Sequence, residues 1–296
     1  MEDPADLLPF GFVTIATGAP HYFEMAVDLA LSIRQFHQDP VVLMTDVAGR
    51  DFVQGRYAGA FDRIVVLPEG VNRGFLSKCA LGDHAPLAHA VFIDADCIVV
   101  APLDRLRAYA FNDGLTMIGE LRQAHELPRF HGANIGFLCK HFKTDQFFKN
   151  HAGAFCYTRR TAQKVMHDAV RVYAELEQLD PLMIPFANDE LAFGIAGGRH
   201  QIHAMPSPSP IHWTADLVNM RAAEWPKPIA HFHNIMPKPI LRALLQETGR
   251  RRRAYGFDER PTHVVWRKKL RRNRGKNPFG LMRYGLQVIG KLVKRG

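Results

Sequence analysis

Short β-branched apolar runs alternate with helical spacings along the first third of the chain. Gly11 to Ala16 is apolar apart from Thr14 and predicts a strand. From about Tyr22 to His37, the positions Phe23, Val27, Ala30, Leu31 and Ile33 recur at roughly helical intervals and predict a helix. Val41 to Met44 predicts a second strand that ends at Thr45-Asp46, and Ile64 to Leu67 a third that is stopped by Pro68 and Gly70. Ser77 to Gly82 reads as helical, and Ala90 to Ile93 as a strand running directly into Asp94-Ala95-Asp96. This strand–helix–strand rhythm implies a mostly parallel, buried sheet with its ligand at the carboxyl ends of the strands. Beyond residue 110 the pattern loosens. Leu115 to Ile118, Ile135 to Leu138, Ile202 to Met205 and Ile229 to Phe232 are predicted strands. Thr161 to Leu176 is a predicted helix, another follows Asn188, and Pro206 to Pro210 is a rigid surface connection. No internal repeat is present.

Composition narrows the class. Of 296 residues, 47% are apolar, which excludes a wholly disordered chain. No uninterrupted apolar run approaches the roughly 20 residues of a membrane span. The four cysteines, Cys79, Cys97, Cys139 and Cys156, have neither paired nor metal-ribbon spacing. Together with an acidic start that lacks a signal pattern, they predict a reducing, cytoplasmic compartment. The formal charge of +9 is unevenly spread. Residues 241–296 hold 17 Lys and Arg against 3 Asp and Glu, a net of +14, which leaves −5 for residues 1–240. The expected organisation is therefore a mildly acidic body, 1–240, and a basic tail, 241–296.

The sharpest chemical signal is Asp94-Ala95-Asp96 after an apolar strand. On an extended strand end, residues two apart point to one side, so both carboxylates could face one cation. Hard divalent ions such as Mn²⁺ or Mg²⁺ take oxygen ligands and share them with substrate phosphates. Two solvated loop aspartates are the plain alternative. Position at a strand's carboxyl end favours the cation.

Six segments in order extend this signal: Val13 to Thr17 with Tyr22; Ser32-Ile33-Arg34; Phe92 to Asp96; Ala133 to Phe137; Asn188-Asp189-Glu190; and His231-Phe232 with Lys238-Pro239. By these motifs the chain resembles glycosyltransferase family eight, which includes glycogenin and bacterial lipopolysaccharide glycosyltransferases. The resemblance implies an α/β GT-A (nucleotide-diphospho-sugar transferase) fold over about residues 11–240: a Rossmann-like, mixed, mostly parallel central sheet flanked by helices, followed here by a basic helical tail. It implies a metal-dependent transferase that moves a sugar from a nucleotide-diphosphate sugar, a UDP-sugar, to a hydroxyl of a glycan or glycolipid, with retention of configuration. Asp94, Asp96 and His231 would hold Mn²⁺ or Mg²⁺, with Ala95 between them, and Lys238 would bind the diphosphate. Ala16, Thr17 and Tyr22 match the region that receives the nucleobase, and Lys78 matches a basic residue facing the donor. Asn134 and Gly136 match the stretch beside the donor sugar. Asp189, with Glu190, falls under the anomeric carbon, and either would be the base if the reaction inverts.

The last motif departs from the family pattern. Asn234 replaces a glycine, Ile240 replaces a tryptophan, and one extra residue separates His231 from Lys238. His231 and His233 therefore both stand as candidate metal ligands. Asp189-Glu190 is equally compatible with a helix N-terminus, where acids complement the macrodipole.

The tail contains Arg250 to Arg253, then a second basic run from Trp266 to Lys276. In its final segment Met282, Leu286, Ile289 and Val293 recur at helical spacing among basic residues. This pattern suits an anionic membrane surface and a peripheral protein, and the resemblance, many of whose members modify lipid-linked acceptors from the cytosolic side, implies the cytosolic face. The same positive charge could also attract nucleic acid, which is the less favoured partner. Two rival readings follow: a nucleotidyltransferase, which would want a glycine-rich basic loop where Ala16-Thr17-Gly18-Ala19-Pro20 stands, and a non-catalytic protein that binds membrane or nucleic acid through its tail. Sequence alone does not fix the oligomeric state.

Overall fold

The computed structural model describes residues 7–71, 75–112, 114–180, 184–200, 202–213, 216–217, 225–232 and 238–259. Its first half follows the predicted rhythm: β1 (Leu8–Ala16), α1 (Pro20–Arg34), β2 (Val41–Thr45), α2 (Val47–Arg56), β3 (Arg63–Val66), two single-turn helices α3 (Leu76–Cys79) and α4 (Leu81–His84), and β4 (Leu87–Ile93). Then come β5 (Cys97–Val99), α5 (Asp104–Ala110), β6 (Leu115–Gln123), β7 (Arg129–Phe130), β8 (Ala133–Asn134) and α6 (Ile135–His141). The chain continues with β9 (Gln146–Thr158), α7 (Arg159–Leu176), α8 (Asp189–His200), β10 (His203–Ala204), β11 (Ile211–His212), β12 (Ile229–His231) and α9 (Lys238–Ala254).

Seven strands form the central sheet in the order β10-β6-β9-β4-β1-β2-β3. β3, β2, β1 and β4 pair in parallel, as do β6 and β10, while β9 runs antiparallel between β4 and β6. This is the mixed, mostly parallel sheet expected. Alternating residues feed two apolar layers, as a sheet covered on both faces requires. Val13, Val42, Met44 and Phe92 pack with α7 and α8 on one face, whereas Phe12, Val41, Leu43 and Val91 pack with α1 and α5 on the other. All four cysteines are buried and none is in a disulfide.

Three sequence expectations change. Ile135–Leu138, predicted as a strand, forms the helix α6: Asn134 caps it by accepting from the Phe137 N–H at 3.0 Å, so a local side-chain bond overrides the apolar run. The long strand β9 went unpredicted because it carries a bulge. Met117 pairs with Phe155 but Ile118 pairs with His151, so β9 has three residues with no partner on β6.

The third change concerns the carboxyl-terminal side. α9 runs through residue 240, the expected boundary between body and tail. Its Ile240, Leu241, Leu244 and Leu245 are buried with Ile98, Ala230 and Phe232 of the small sheet β11-β12-β5. Within the Arg250–Arg253 run, Arg251 and Arg252 are buried. Arg252 donates to Asp28 at 2.5 Å, to Tyr57 Oη at 3.1 Å and to the Glu24 carbonyl at 3.2 Å, tying α9 to α1. Half of that basic run is therefore internal structure rather than free positive surface. The later basic segments lie outside the described residues.

Candidate functional site

The carboxyl ends of β1, β2 and β4 open into a cavity of about 1100 Å³, slightly above the usual range for small-molecule sites. One wall is the β1 end. Thr45 Oγ1 donates to the Ala16 carbonyl at 2.5 Å, and the Gly18 N–H donates to Asp46 at 2.6 Å while Asp46 also caps α2. These bonds fix Ala16, Thr17 and Gly18 along the cavity, with Tyr22 beside them and 46% exposed.

Asp94-Ala95-Asp96 follows β4 as a turn closed by the Cys97 N–H to the Asp94 carbonyl at 3.0 Å, not as an extended end. The two carboxylates therefore line one cavity yet take different partners. Lys78 Nζ stands 2.8 Å from Asp94 and 2.8 Å from Asp189, bridging β4 to α8. Asp96 meets His231 Nε2 at 3.0 Å. His231 reaches that point because β12 lies antiparallel to β5, pairing His231 with Cys97, and because the Phe232 N–H donates to the Asp96 carbonyl.

Electrostatics follow the pairing. Burial alone would lower the Lys78 ammonium, but the carboxylates of Asp189 and Asp94 hold it well above the usual lysine range. Burial pushes the Asp94 carboxyl up to about 6, with Lys78 opposing and Asp96 adding to the rise. Burial would likewise lower His231, yet the hydrogen bond and charge of Asp96 raise it.

α8 brings the acidic pair to the same cavity. Its cap is Asn188, whose side chain accepts from the Leu191 N–H at 2.8 Å, so Asp189 and Glu190 are not needed for capping and face inward. Glu190 accepts from the Ala152 N–H at 3.1 Å on the β9 bulge and pairs with His131. The helix lies close to β9 because it is glycine-rich there: a Cβ on Gly198 would stand 2.1 Å from the Gln146 carbonyl oxygen.

Ala16, Thr17, Tyr22, Lys78, Asp94, Ala95, Asp96, Asp189, Glu190 and His231 thus gather in one place. Asn134 and Gly136 do not line the cavity; Asn134 serves as the α6 cap, which spends its side-chain oxygen on a backbone N–H. His233 and the Lys238 side chain lie outside the described residues. Sequence reading missed His131, His151, Phe75, Phe186 and Asp46, all of which line the cavity. Of these, Asp46 stood at the end of a predicted strand, and His131 opens a His-Gly pair suited to a tight hairpin.

The cation expectation can be tested on the donors. The ligand atoms of Asp96, Cys97 and His231 lie within 4.8 Å of one another. The Asp96 carboxylate is a donor suited to Mn²⁺ or Mg²⁺, and the His231 imidazole is one that first-row ions accept. Among the described residues the cavity also carries Asp46, Asp94, Asp96, Asp189 and Glu190 against Lys78, with His131, His151 and His231 beside them. A bound cation would offset the carboxylates among these donors. The residues present fit the group.

No protein-family model and no curated protein sequence matches this chain. Solved structures do. An active-site mutant of LgtC is similar with a TM-score of 0.50 and 12% identity over 77% of this chain and 88% of that one. The bifunctional glycosyltransferase WbbM has a TM-score of 0.53 and 12% identity over 82% of this chain, which spans about half, 51%, of WbbM. The galactosyltransferase LgtC in complex with donor and acceptor sugar analogs has a TM-score of 0.49 and 13% identity over 75% of this chain and 86% of that one. The fold is that of the GT-A glycosyltransferases. The expected resemblance to family-eight structures is thereby met, distantly and over most of the chain. Among the described residues, no helix is long and apolar enough to cross a membrane.

Proposed function

We propose that this protein is a metal-dependent glycosyltransferase that moves a sugar from a UDP-sugar to a hydroxyl of a glycan or glycolipid, with retention of configuration. The observation that carries the reading is a single cavity, at the carboxyl edge of a GT-A sheet, that joins Asp94, Asp96, His231 and Lys78 to the acidic start of α8. Asp96 and His231 would hold Mn²⁺ or Mg²⁺, with Asp94 as the motif's remaining carboxylate. When bound, the cation offsets charge building on the departing diphosphate. Lys78, cationic at neutral pH, adds a point charge on the same side. Tyr22 offers an exposed ring for the nucleobase at the β1 end. Asp189 is neutralised by Lys78, which leaves Glu190 as the carboxylate able to stabilise positive charge on the anomeric carbon. The net positive charge beyond residue 259 supports an acceptor at an anionic membrane surface, reached from the cytoplasm.

The test is a screen of nucleotide sugars with purified protein and Mn²⁺, read as release of nucleoside diphosphate. Release from a UDP-sugar, abolished by Asp94→Ala with Asp96→Ala, is expected. Release from no donor, or full activity in that double variant, rejects the reading.

A further inference from the structure

Glu190 is held more tightly than a solvent-facing acid at a helix start needs to be. Its carbonyl accepts from Asn150 at 2.8 Å, and one carboxylate oxygen accepts from the Ala152 N–H at 3.1 Å. The other oxygen meets His131 Nε2. Both oxygens are thus committed and the carboxylate has one orientation. His131 reaches it from the tip of the β7–β8 hairpin, whose two-residue turn is His131-Gly132 with φ of 49° and 82°. That is the double left-handed geometry of a type I′ turn, which a residue other than glycine adopts at a cost. The tip is fixed from outside as well, since a Cβ on Gly132 would stand 2.9 Å from Pro185. Asn188 already caps α8, so capping does not explain the pair.

We propose that His131 is the positioning residue for Glu190, aiming its carboxylate at the sugar being transferred. This rests on the sugar-transfer reading above. Side-chain exposure rises from 16% at Glu190 to 38% at His131, so the imidazole links an interior carboxylate to the cavity mouth. Donating to the Glu190 carboxylate raises His131, while His131 and His151 outweigh burial to keep Glu190 below the usual glutamate range. Glu190 therefore stays anionic when positive charge develops on the anomeric carbon, where fixed negative charge lowers the barrier. The other groups facing the pair are His151 on β9, Asp189 on α8 and, bound to Asp189, Lys78 on α3.

The experiment compares the full-length enzyme with His131→Phe and His131→Gln, each first checked for unchanged thermal unfolding. His131→Phe is expected to lower kcat by about tenfold to a hundredfold, the cost of a misplaced group at a reacting centre. The donor KM should move by no more than about threefold, because donor binding is not what is lost. The acid limb of the kcat–pH profile should shift to higher pH in His131→Phe, and His131→Gln, which keeps an N–H donor, should recover most of the rate. In the free protein, NMR titration should place the His131 imidazole above its ordinary value, and Glu190→Gln should bring it down. A wild-type enzyme that turns over while His131→Phe keeps its kcat and acid limb overturns the positioning role alone. An unshifted imidazole overturns it too. A wild-type protein that releases nucleotide from no donor overturns the transfer reading and this role with it.

Discussion

Replacing Arg252 by Met should destabilise the protein severely, although the residue sits within a run of four arginines. Arg252 is 0% exposed and Asp28, its partner at 2.5 Å, is 1% exposed. The guanidinium also donates to Tyr57 and to the carbonyls of Glu24 and Asp258, and lies 5.2 Å from the centre of the Tyr57 ring. Removing it strands the Asp28 carboxylate beside Glu24, an acid whose pKa burial already raises and which Arg252 helps to hold down. Breaking one side of a buried ion pair costs about 3–5 kcal/mol, against a typical total stability of about 5–15 kcal/mol. For a chain of this size that corresponds to a fall in Tm of roughly 6–20 °C. Urea titration followed by circular dichroism gives the free energy directly. Arg252→Met with Asp28→Leu should recover most of the loss, because replacing both partners by apolar groups removes the stranded charge. Arg250→Met is the control, since Arg250 pairs at the surface with Glu247 and an exposed, solvent-screened pair contributes little. A loss below about 1 kcal/mol in Arg252→Met would refute the argument that α9 is anchored through a buried charge.

Shortening the chain to residues 1–240 should leave it insoluble or unfolded, because Leu241, Leu244 and Leu245 close an apolar cluster, whereas residues 1–259 should fold and keep any nucleotide-sugar activity; size-exclusion chromatography and circular dichroism separate the two. The loss of residues 260–296 should abolish sedimentation with anionic vesicles, an attraction expected to weaken as salt rises. Gly198→Ala should cost about 1–3 kcal/mol in urea unfolding, since its Cβ would press on the Gln146 carbonyl and push α8 off β9. His37 accepts from the Leu103 N–H at 2.8 Å, and burial lowers its pKa below 6.5. Its folded value being depressed, the unfolded chain binds the proton first, so stability is full above about 6.5 and falls as pH drops through the window beneath it. The stability difference between wild type and His37→Leu, measured from pH 7.5 to 5, should narrow on acidification; a constant difference refutes the assignment.

The parallel half of the fold was legible because each strand there is an apolar run ended by Pro, Gly or Asp. The antiparallel half was less so. β9 contains His151-Ala152-Gly153 in the middle of thirteen residues, and a bulge at that point breaks the alternation on which sequence reading relies. That bulge also builds the site: it supplies the Ala152 N–H to Glu190 and the Gly153 carbonyl to the Asp94 N–H. Asn134 shows the opposite failure. Its motif pointed to a donor contact, but an asparagine before an apolar run also caps a helix, and that local bond prevailed. His131 was one histidine among 15, and nothing in its spacing tied it to Glu190, 59 residues away.

The charge partition takes its meaning from these placements. The acidic body is not uniformly acidic surface: Asp28 is matched internally by Arg252, and Asp94 and Asp189 share Lys78. What stays concentrated is the carboxylate lining of the cavity, where Asp96 leans on His231. An anionic donor gains nothing from such a lining by direct attraction, since like charges a few ångströms apart in a half-buried site repel by several kcal/mol. A cation held among these carboxylates would offset that repulsion, while Lys78 stays shared between Asp94 and Asp189. Arg251 and Arg252, read as part of a basic tail, belong to the body: Arg252 gives the buried Asp28 of α1 an internal counter-charge, and Arg251 donates to Gln35 at the end of the same helix.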